Sequence, residues 1–488
     1  MTTPQPLLDP ALWREHLYSS GWRAASQAAD VIEPATGTVL ACTGRAVAAD
    51  VAPATQAATA AQAAWAAMPP RERAAVFLRA AQLFQQHFDE LALFVTRETG
   101  GILPKGQHEL REAVAFCQIA AAMPLQAQGQ VLPSTPGRMS IARRVPLGVV
   151  GVISPFNFPL ILTLRVVAPA LAAGNAVIIK PDPRTPVSGG FMIAQVFEAA
   201  GLPAGLLHVL PGGADVGQAL VSDPAVAMIS FTGSAGVGRH IGELAGRHLK
   251  KVSLELGGSN ALVVLDDADL DLAASNIAWG AWLHQGQICM ASNRVLVHED
   301  IAPAITERLV AKAQHLPVGD GATGQVALGP LIDERQRDRV HAAVQASVKA
   351  GAQLLAGGTY DRLFYKPTVL AGVKPGMPTF DDETFGPVVN LVTFKTDAEA
   401  VALANDSHGG LSAGVISRSV GRALAVGNQL RAGMVHINDQ TVNDDAVNPF
   451  GGPGIAGNGN SHGGPGDWEQ FSTWQWLTVK DTPPQFPF

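Results

Sequence analysis

Cysteine is nearly missing from this chain: Cys42, Cys117 and Cys289 are the three in 488 residues. An odd number, widely spaced, gives no disulfide framework and suits reduced thiols in a cytoplasm. Charge is scarce as well, at 15% Asp, Glu, Lys and Arg against roughly 25% in ordinary soluble chains. Two readings fit that scarcity: a surface partly covered in a homo-oligomer, or an Ala-rich composition of the kind seen in Ala57–Ala67. A basic stripe is absent and the net charge is −7, which argues against nucleic acid, since phosphate binding needs concentrated Lys and Arg. Long apolar runs are also absent. The nearest, Val166–Ile179, is cut by Pro169, Gly174 and Asn175, short of the ~18 residues that a spanning helix needs. Met1–Ser20 holds Asp9, Pro10, Arg14 and Glu15 where a signal peptide would carry an unbroken apolar stretch. The expectation is a soluble cytoplasmic protein with no membrane and no nucleic-acid partner.

What is present is length and a repeated alternation of strand and helix. A chain of 488 residues exceeds what one core serves, so two or three domains are expected. The first 125 residues read mainly as helices, at Asp50–Trp65, Arg71–Thr99 and Gln107–Met123, with Pro69-Pro70 and Gly100-Gly101 between them. The segment from Gln126 to Pro146 carries Pro133, Pro136 and Gly137 in an alternating pattern and reads as a hairpin or extended arm. From Leu147 onward short apolar runs at Leu147–Ile153, Ala176–Ile179, Leu206–Leu210, Met228–Phe231 and Val252–Leu256 read as buried strands. Helical crossovers at Leu160–Ala173, Val187–Ala200 and Ser234–Leu249 separate them, which implies a parallel sheet covered on both faces. Gly257-Gly258 interrupts, and a second α/β region follows. Its candidate strands are Ala261–Leu265, Arg294–Val297, Asn390–Phe394, Ala413–Ile416 and Met434–Ile437. Its candidate helices are Leu270–Trp282, Ala302–His315, Glu334–Ala350, Ala398–Ala404 and Val420–Arg431. Two such domains would leave a cleft near Gly257. The tail is Gly-rich, then aromatic, and Thr473–Lys480 alternates like an edge strand that needs a partner from this chain or another subunit.

Five places carry residue types suited to chemistry. Cys289, in Gly286-Gln287-Ile288-Cys289-Met290, reads alone as a small buried hydrophobe or as a thiolate favoured by free N–H groups at a loop start. Glu255 sits among apolar neighbours just before the Gly pair, where a raised pKa would suit a general base; most glutamates are merely solvated. Asn157, in Ser154-Pro155-Phe156-Asn157-Phe158-Pro159, is either a rigid oxyanion donor or a cap for the next helix. Thr232-Gly233-Ser234-Ala235-Gly236-Val237-Gly238 is a Gly-rich strand-to-helix turn fit for a phosphate, without the GxGxxG order of the usual fingerprint. Lys180 closes a parallel strand and could reach a ribose hydroxyl or a phosphate. No metal is called for.

Together these pieces resemble the aldehyde dehydrogenase superfamily from about Pro34 to the C-terminus. The matching motifs are PFNFPL at Pro155–Leu160, GNAVIIKP at Gly174–Pro181, FTGSAGVG at Phe231–Gly238, LELGG at Leu254–Gly258, GQIC at Gly286–Cys289 and ETFGPV at Glu383–Val388. They fall in family order, with the glutamate 34 residues ahead of the cysteine. The resemblance implies an aldehyde dehydrogenase-like α/β fold: a Rossmann-type dinucleotide-binding domain (1–125 and 147–256), an α/β catalytic domain (257–455) and a small β oligomerisation arm (126–146 and 467–488). It implies Cys289 as nucleophile, Glu255 as the base for the deacylating water, and Asn157 with the Cys289 N–H as oxyanion hole. Lys180 and Asp182 would hold the adenine-side ribose, and Gly233 and Ser234 the pyrophosphate. Glu383 and Phe385 would hold the nicotinamide ribose, Gly257 would admit the nicotinamide, and the Ser154-Pro155-Phe156 turn would line the cofactor site. The implied reaction converts a small-molecule aldehyde to an acid with NAD, or NADP, through a thioester on Cys289, in a homodimer or homotetramer.

Departures from the pattern narrow this further. Phe156 stands where the family more often has tryptophan. Pro183 stands where many NAD-preferring members have glutamate, leaving Asp182 to favour NAD or Arg184 to favour NADP; NAD is the expectation. KPDPRTP at Lys180–Pro186, HINDQTVNDDAVNPFGG at His436–Gly452 and DWEQFSTWQWLTVK at Asp467–Lys480 resemble the benzaldehyde and vanillin dehydrogenase branch. That implies a flat aromatic aldehyde, with Trp468, Trp474 and Trp476 either at the substrate mouth or in interface packing. Arg165 faces either the substrate tunnel or solvent. Two rival readings are a CoA-acylating enzyme, which typically lacks the glutamate at position 255, and a non-catalytic member of the fold, against which both Cys289 and Glu255 stand.

Overall fold

The computed structural model describes residues 6–406 and 410–488; Met1–Gln5, at the head of the expected first domain, lie outside the described residues. The five apolar runs after Leu147 form the parallel part of a seven-stranded sheet, in the order Lys251–Leu256, Val226–Gly233, Val149–Ile153, Ala176–Lys180 and Leu207–Val209. Val149–Ile153 and Ala176–Lys180 are buried at every position, as expected where helices cover both faces and β-branched side chains fill the space between. The chain enters the parallel part of this sheet at Val149–Ile153, winds outward to Leu207–Val209, then returns to the other side at Val226–Gly233. The order therefore reverses between Val149–Ile153 and Val226–Gly233. At such a switch point the two following loops diverge and leave a crevice beyond the carboxyl ends of the strands. Those loops are Ser154–Phe158 and Gly233-Ser234.

A second seven-stranded sheet runs Gln353–Ala356, Thr368–Ala371, Val388–Phe394, Arg294–His298, Ala261–Val264, Gly410–Ile416 and Ala432–Ile437, all neighbours parallel except the first pair. Its two faces have separate cores. Ala261, Val263 and Leu296 pack into one, and Leu262, Val264, Val295 and Val297 into the other, the two-residue alternation of a strand. A third sheet pairs Gly129–Val131, Met139–Pro146 and Ser472–Val479 antiparallel. The edge strand expected near Thr473–Lys480 thus finds its partner within its own chain, along eight residues from Ser472↔Pro146 to Val479↔Met139.

The amino-terminal reading needs correction. Four strands, His16–Ser19, Trp22–Ala24, Gln27–Ile32 and Val39–Arg45, precede the first long helix. The first two extend the first sheet antiparallel from Leu207–Val209. His16–Ser19 and Trp22–Ala24 are too short for local periodicity to reveal, and only His16–Ser19 pairs with a distant strand, Leu207–Val209; Gln27–Ile32 and Val39–Arg45 pair with each other. Arg71–Thr99 is two helices, Pro70–Gln86 and Phe88–Thr99, broken at His87. The crossover from Val187 opens with a π-helical turn, Val187–Phe191, before Met192–Ala199. Gln353–Ala356 and Thr368–Ala371 are strands that the apolar pattern leaves unmarked.

Candidate active site

Cys289 lies in the loop between the helix Leu270–Trp282 and the strand Arg294–His298. The loop starts in strained backbone: His284 and Gln285 have φ of 46° and 56°, and Gly286 follows at 67°. Glycine is required there, because a Cβ at Gly286 would strike the carbonyl of Gly386. Buried amides then fasten the loop. Gln285 donates to the carbonyls of Gly100 (2.8 Å) and Pro330 (2.7 Å), and Gln287 Oε1 accepts from the Ile332 N–H at 3.1 Å. Asn260, which the sequence reading does not single out, donates to the carbonyl of Cys289 at 2.7 Å. Asn293 donates to the carbonyls of Thr379 and Asp382 and accepts from the Thr384 N–H at 3.2 Å, so the Glu383–Phe385 turn is tied to the same loop.

Asn157 reaches this loop from the first sheet. Its Nδ2 donates to the Gln287 carbonyl at 2.9 Å, and the residue is 3% exposed. The helix Pro159–Ala172 has no side-chain cap of its own, so the capping alternative for Asn157 falls away. An amide nitrogen has two hydrogens, and the second remains for another acceptor.

Glu255 is the penultimate residue of the strand Lys251–Leu256 and is 3% exposed, with neither carboxylate oxygen hydrogen-bonded among the described residues. Burial pushes its carboxyl well above the ordinary range, opposed by the Arg165 charge and reinforced by Asp444. Arg165 is itself buried. It pairs with Asp444, and its guanidinium lies 4.2 Å from the Phe450 ring centroid and 5.3 Å from that of Phe116. The solvent-facing alternative for Arg165 is therefore excluded.

The thiol of Cys289 is pushed up from its usual value by burial first, then by Glu383 and Glu255, with Arg165 acting the other way. The thiolate-favouring setting expected for the isolated loop is thus outweighed by desolvation and two carboxylates. Glu383 is packed onto Gly257, where a Cβ would collide with its carboxylate. Burial pushes the Glu383 carboxyl up to about 8, and its Oε1 has no partner among the described residues.

The remaining expected residues line the reversal point. Ser154 is buried with its hydroxyl unpartnered among the described residues. Phe156 meets Phe385 edge-on at 5.9 Å, and Gln336 donates to the Phe385 carbonyl at 2.7 Å. Gly233 ends its strand and Ser234 precedes the helix Ala235–Arg247. Lys180 is 9% exposed, its pKa lowered by burial against the pull of Asp182 and Asp215. Arg184 is already engaged: it forks onto Asp182 at 2.8 and 2.9 Å, reaches Asp333 at 2.8 Å and lies 4.0 Å from the Phe156 ring centroid. Trp474 and Trp476 make their polar and stacking contacts with the third sheet, Trp474 on Arg144 at 4.3 Å and Trp476 with Ser140 at 2.8 Å.

A thiol, a buried carboxylate and an amide donor thus meet at the mouth of a parallel-sheet crevice. The aldehyde dehydrogenase family model matches residues 22–477. The chain is 53% identical to vanillin dehydrogenase of Amycolatopsis sp., over 99% of both chains, and 49% identical to benzaldehyde dehydrogenase [NAD(+)] of Pseudomonas putida, over 98% of both. Among solved structures, betaine aldehyde dehydrogenase of Staphylococcus aureus in complex with NAD+ superposes with a TM-score of 0.94 at 29% identity, covering 97% of this chain and 96% of that one. The chain belongs to the aldehyde dehydrogenase family.

Proposed function

We propose that the protein oxidises an aromatic aldehyde of the benzaldehyde or vanillin kind to its carboxylic acid, with NAD as the oxidant. The observation that carries this reading is the meeting of Asn157, Glu255 and Glu383 around the Cys289 loop. The cofactor residues proposed are Lys180, Asp182, Gly233, Ser234, Gly257, Glu383 and Phe385, with Ser154, Pro155 and Phe156. The site suits a ligand rich in hydroxyl and amide groups: Ser154 Oγ and Glu383 Oε1 are buried and unpartnered among the described residues, and Gly257 offers bare backbone. Bound there, a nicotinamide ring supplies the hydride acceptor. The first sheet with its flanking helices (1–125 and 147–256) is then the cofactor domain, and 257–455 the catalytic domain.

Cys289 releases its proton to solvent and its sulfur adds to the aldehyde carbon. The carbonyl oxygen becomes an oxyanion, held by the second Asn157 N–H and the Cys289 backbone N–H. Loss of hydride from that carbon leaves the thioester. Glu255 in its deprotonated form takes a proton from water, whose oxygen attacks the thioester, and the acid departs as the thiolate is restored. A raised pKa makes Glu255 a stronger base for this step. Glu255 also separates this reading from CoA-dependent acyl transfer, and free acid formed without CoA is the observation that supports hydrolysis.

The third sheet (126–146 and 467–488) is proposed as an assembly arm of a homodimer or homotetramer; it leaves Val131, Trp474 and Trp476 exposed. Among the described residues no helix is long and apolar enough to cross a membrane, and a cytoplasmic setting is proposed. The test is reduced-nicotinamide formation with benzaldehyde, vanillin and a short aliphatic aldehyde, each with NAD and NADP. Preference for an aromatic substrate with NAD supports the reading; preference for the aliphatic one overturns the substrate assignment.

A further inference from the structure

The helix Pro159–Ala172 begins two residues after Asn157, yet the residue at its cap position, Phe158, has no side chain that can cap it. Exposed N–H groups at a buried helix start need an acceptor. It comes from a different helix, Leu103–Ala122: Glu109 Oε2 accepts from the N–H groups of Leu160 (3.0 Å) and Ile161 (3.1 Å). The other oxygen of Glu109 pairs with Lys105, whose ammonium also donates to Thr99 Oγ1 at 3.1 Å. The pair is sealed from water, with side-chain exposures of 2% for Lys105 and 0% for Glu109.

Phe158 carries the arrangement onward. The Lys105 ammonium lies 4.6 Å from its ring centroid, and the ring meets His284 edge-on at 5.2 Å. His284 opens the strained turn leading to Cys289, and it is buried with neither ring nitrogen partnered among the described residues. On the same short segment Asn157 donates to Gln287. A buried ion pair is seldom the cheapest way to stabilise a fold, because desolvation offsets much of the attraction. This one sits against the helix start and Phe158, beside both Asn157 and the turn that leads to Cys289.

We propose that Glu109, held by Lys105, is a positioning residue for acylation: it fixes the helix start so that Asn157 presents its amide to the oxyanion at Cys289. The proposal rests on the reading of Asn157 and Cys289 given above. Misplacement of a reacting group by about 1 Å can lower a rate ~100-fold, whereas loss of the cap alone would act on stability.

The experiment is a double-mutant cycle in the full-length enzyme, read as the single-turnover rate of reduced-nicotinamide formation with benzaldehyde and NAD. Glu109→Leu, which leaves the helix start without its acceptor, should slow this step about 10–100-fold with little change in the aldehyde KM. In an Asn157→Ala background the same substitution should slow it by no more than about twofold. Equal losses in both backgrounds would mean that Glu109 supports the fold rather than Asn157, and would overturn the proposal while leaving the role of Asn157 intact. Acylation at the parent rate in Asn157→Ala alone would remove the role of Asn157 and the proposal with it. Circular dichroism reports folding. Should Glu109→Leu fail to fold, Lys105→Met/Glu109→Leu removes both buried charges together with that acceptor and is read in the same cycle.

Discussion

The side-chain amide of Asn157 donates to the carbonyl of Gln287 at 2.9 Å, two residues ahead of Cys289. That bond joins the loop after Val149–Ile153 to the loop that carries the thiol, and so ties the first sheet to the second. It fixes the amide plane, and with it the direction of the remaining N–H. Asn157→Ala should therefore slow acylation by about 10²–10³, the usual loss for one oxyanion donor. Single-turnover kinetics at saturating aldehyde make the check; a rate within a few-fold of the parent would remove Asn157 from the oxyanion hole.

Glu255 is pushed well above the carboxylate range, chiefly by burial. It acts as a base only when ionised, so steady-state turnover should climb with pH through its raised pKa. Glu255→Gln should keep the initial burst of reduced cofactor and lose the turnover that follows. Removing the Arg165 cation disfavours the ionised form, so Arg165→Met should move the rising limb of kcat to higher pH, by about one unit or more. An unmoved limb would show that the limb belongs to another group.

The Glu383 carboxyl, held up to about 8 by burial, raises the Cys289 thiol only when it is charged. Two pH regimes follow. Below pH ~8 the parent enzyme and Glu383→Gln should alkylate with iodoacetamide at the same rate, since Glu383 is neutral in the one and absent in the other. Above it the variant should react faster, because its thiol no longer faces that charge. Superimposable profiles through the alkaline range would disprove the coupling.

Arg184 is engaged by Asp182 and Asp333, and a guanidinium so committed has little left for a 2′-phosphate. Deleting the Asp182 carboxylate frees the fork. Asp182→Ala should raise the ratio of kcat/KM for NADP over NAD at least about tenfold, the worth of one charge-assisted hydrogen bond of ~1.5 kcal/mol. A ratio that stays put in paired assays would place both residues away from the adenine-side ribose. Stability should change little, because the ion pairs are partly exposed.

Much of this molecule is determined by local sequence. Runs such as Val149–Ile153 and Ala176–Ile179 are apolar along their whole length, which only a sheet covered on both faces accommodates, and the motifs around Glu255, Cys289 and Glu383 mark chemistry by residue type. Tertiary structure alone decided what depends on distant partners. The strand His16–Ser19 exists because Leu207–Val209 offers it an edge, and Trp22–Ala24 in turn pairs on His16–Ser19; Ser472–Val479 exists because Met139–Pro146 offers it one. The cap from Glu109 to Leu160 and the ion pair from Arg184 to Asp333 span 51 and 149 residues. Desolvation, which turns Glu255 into a strong base and holds Cys289 as a thiol, depends on what packs around a side chain, and no stretch of neighbouring sequence specifies that.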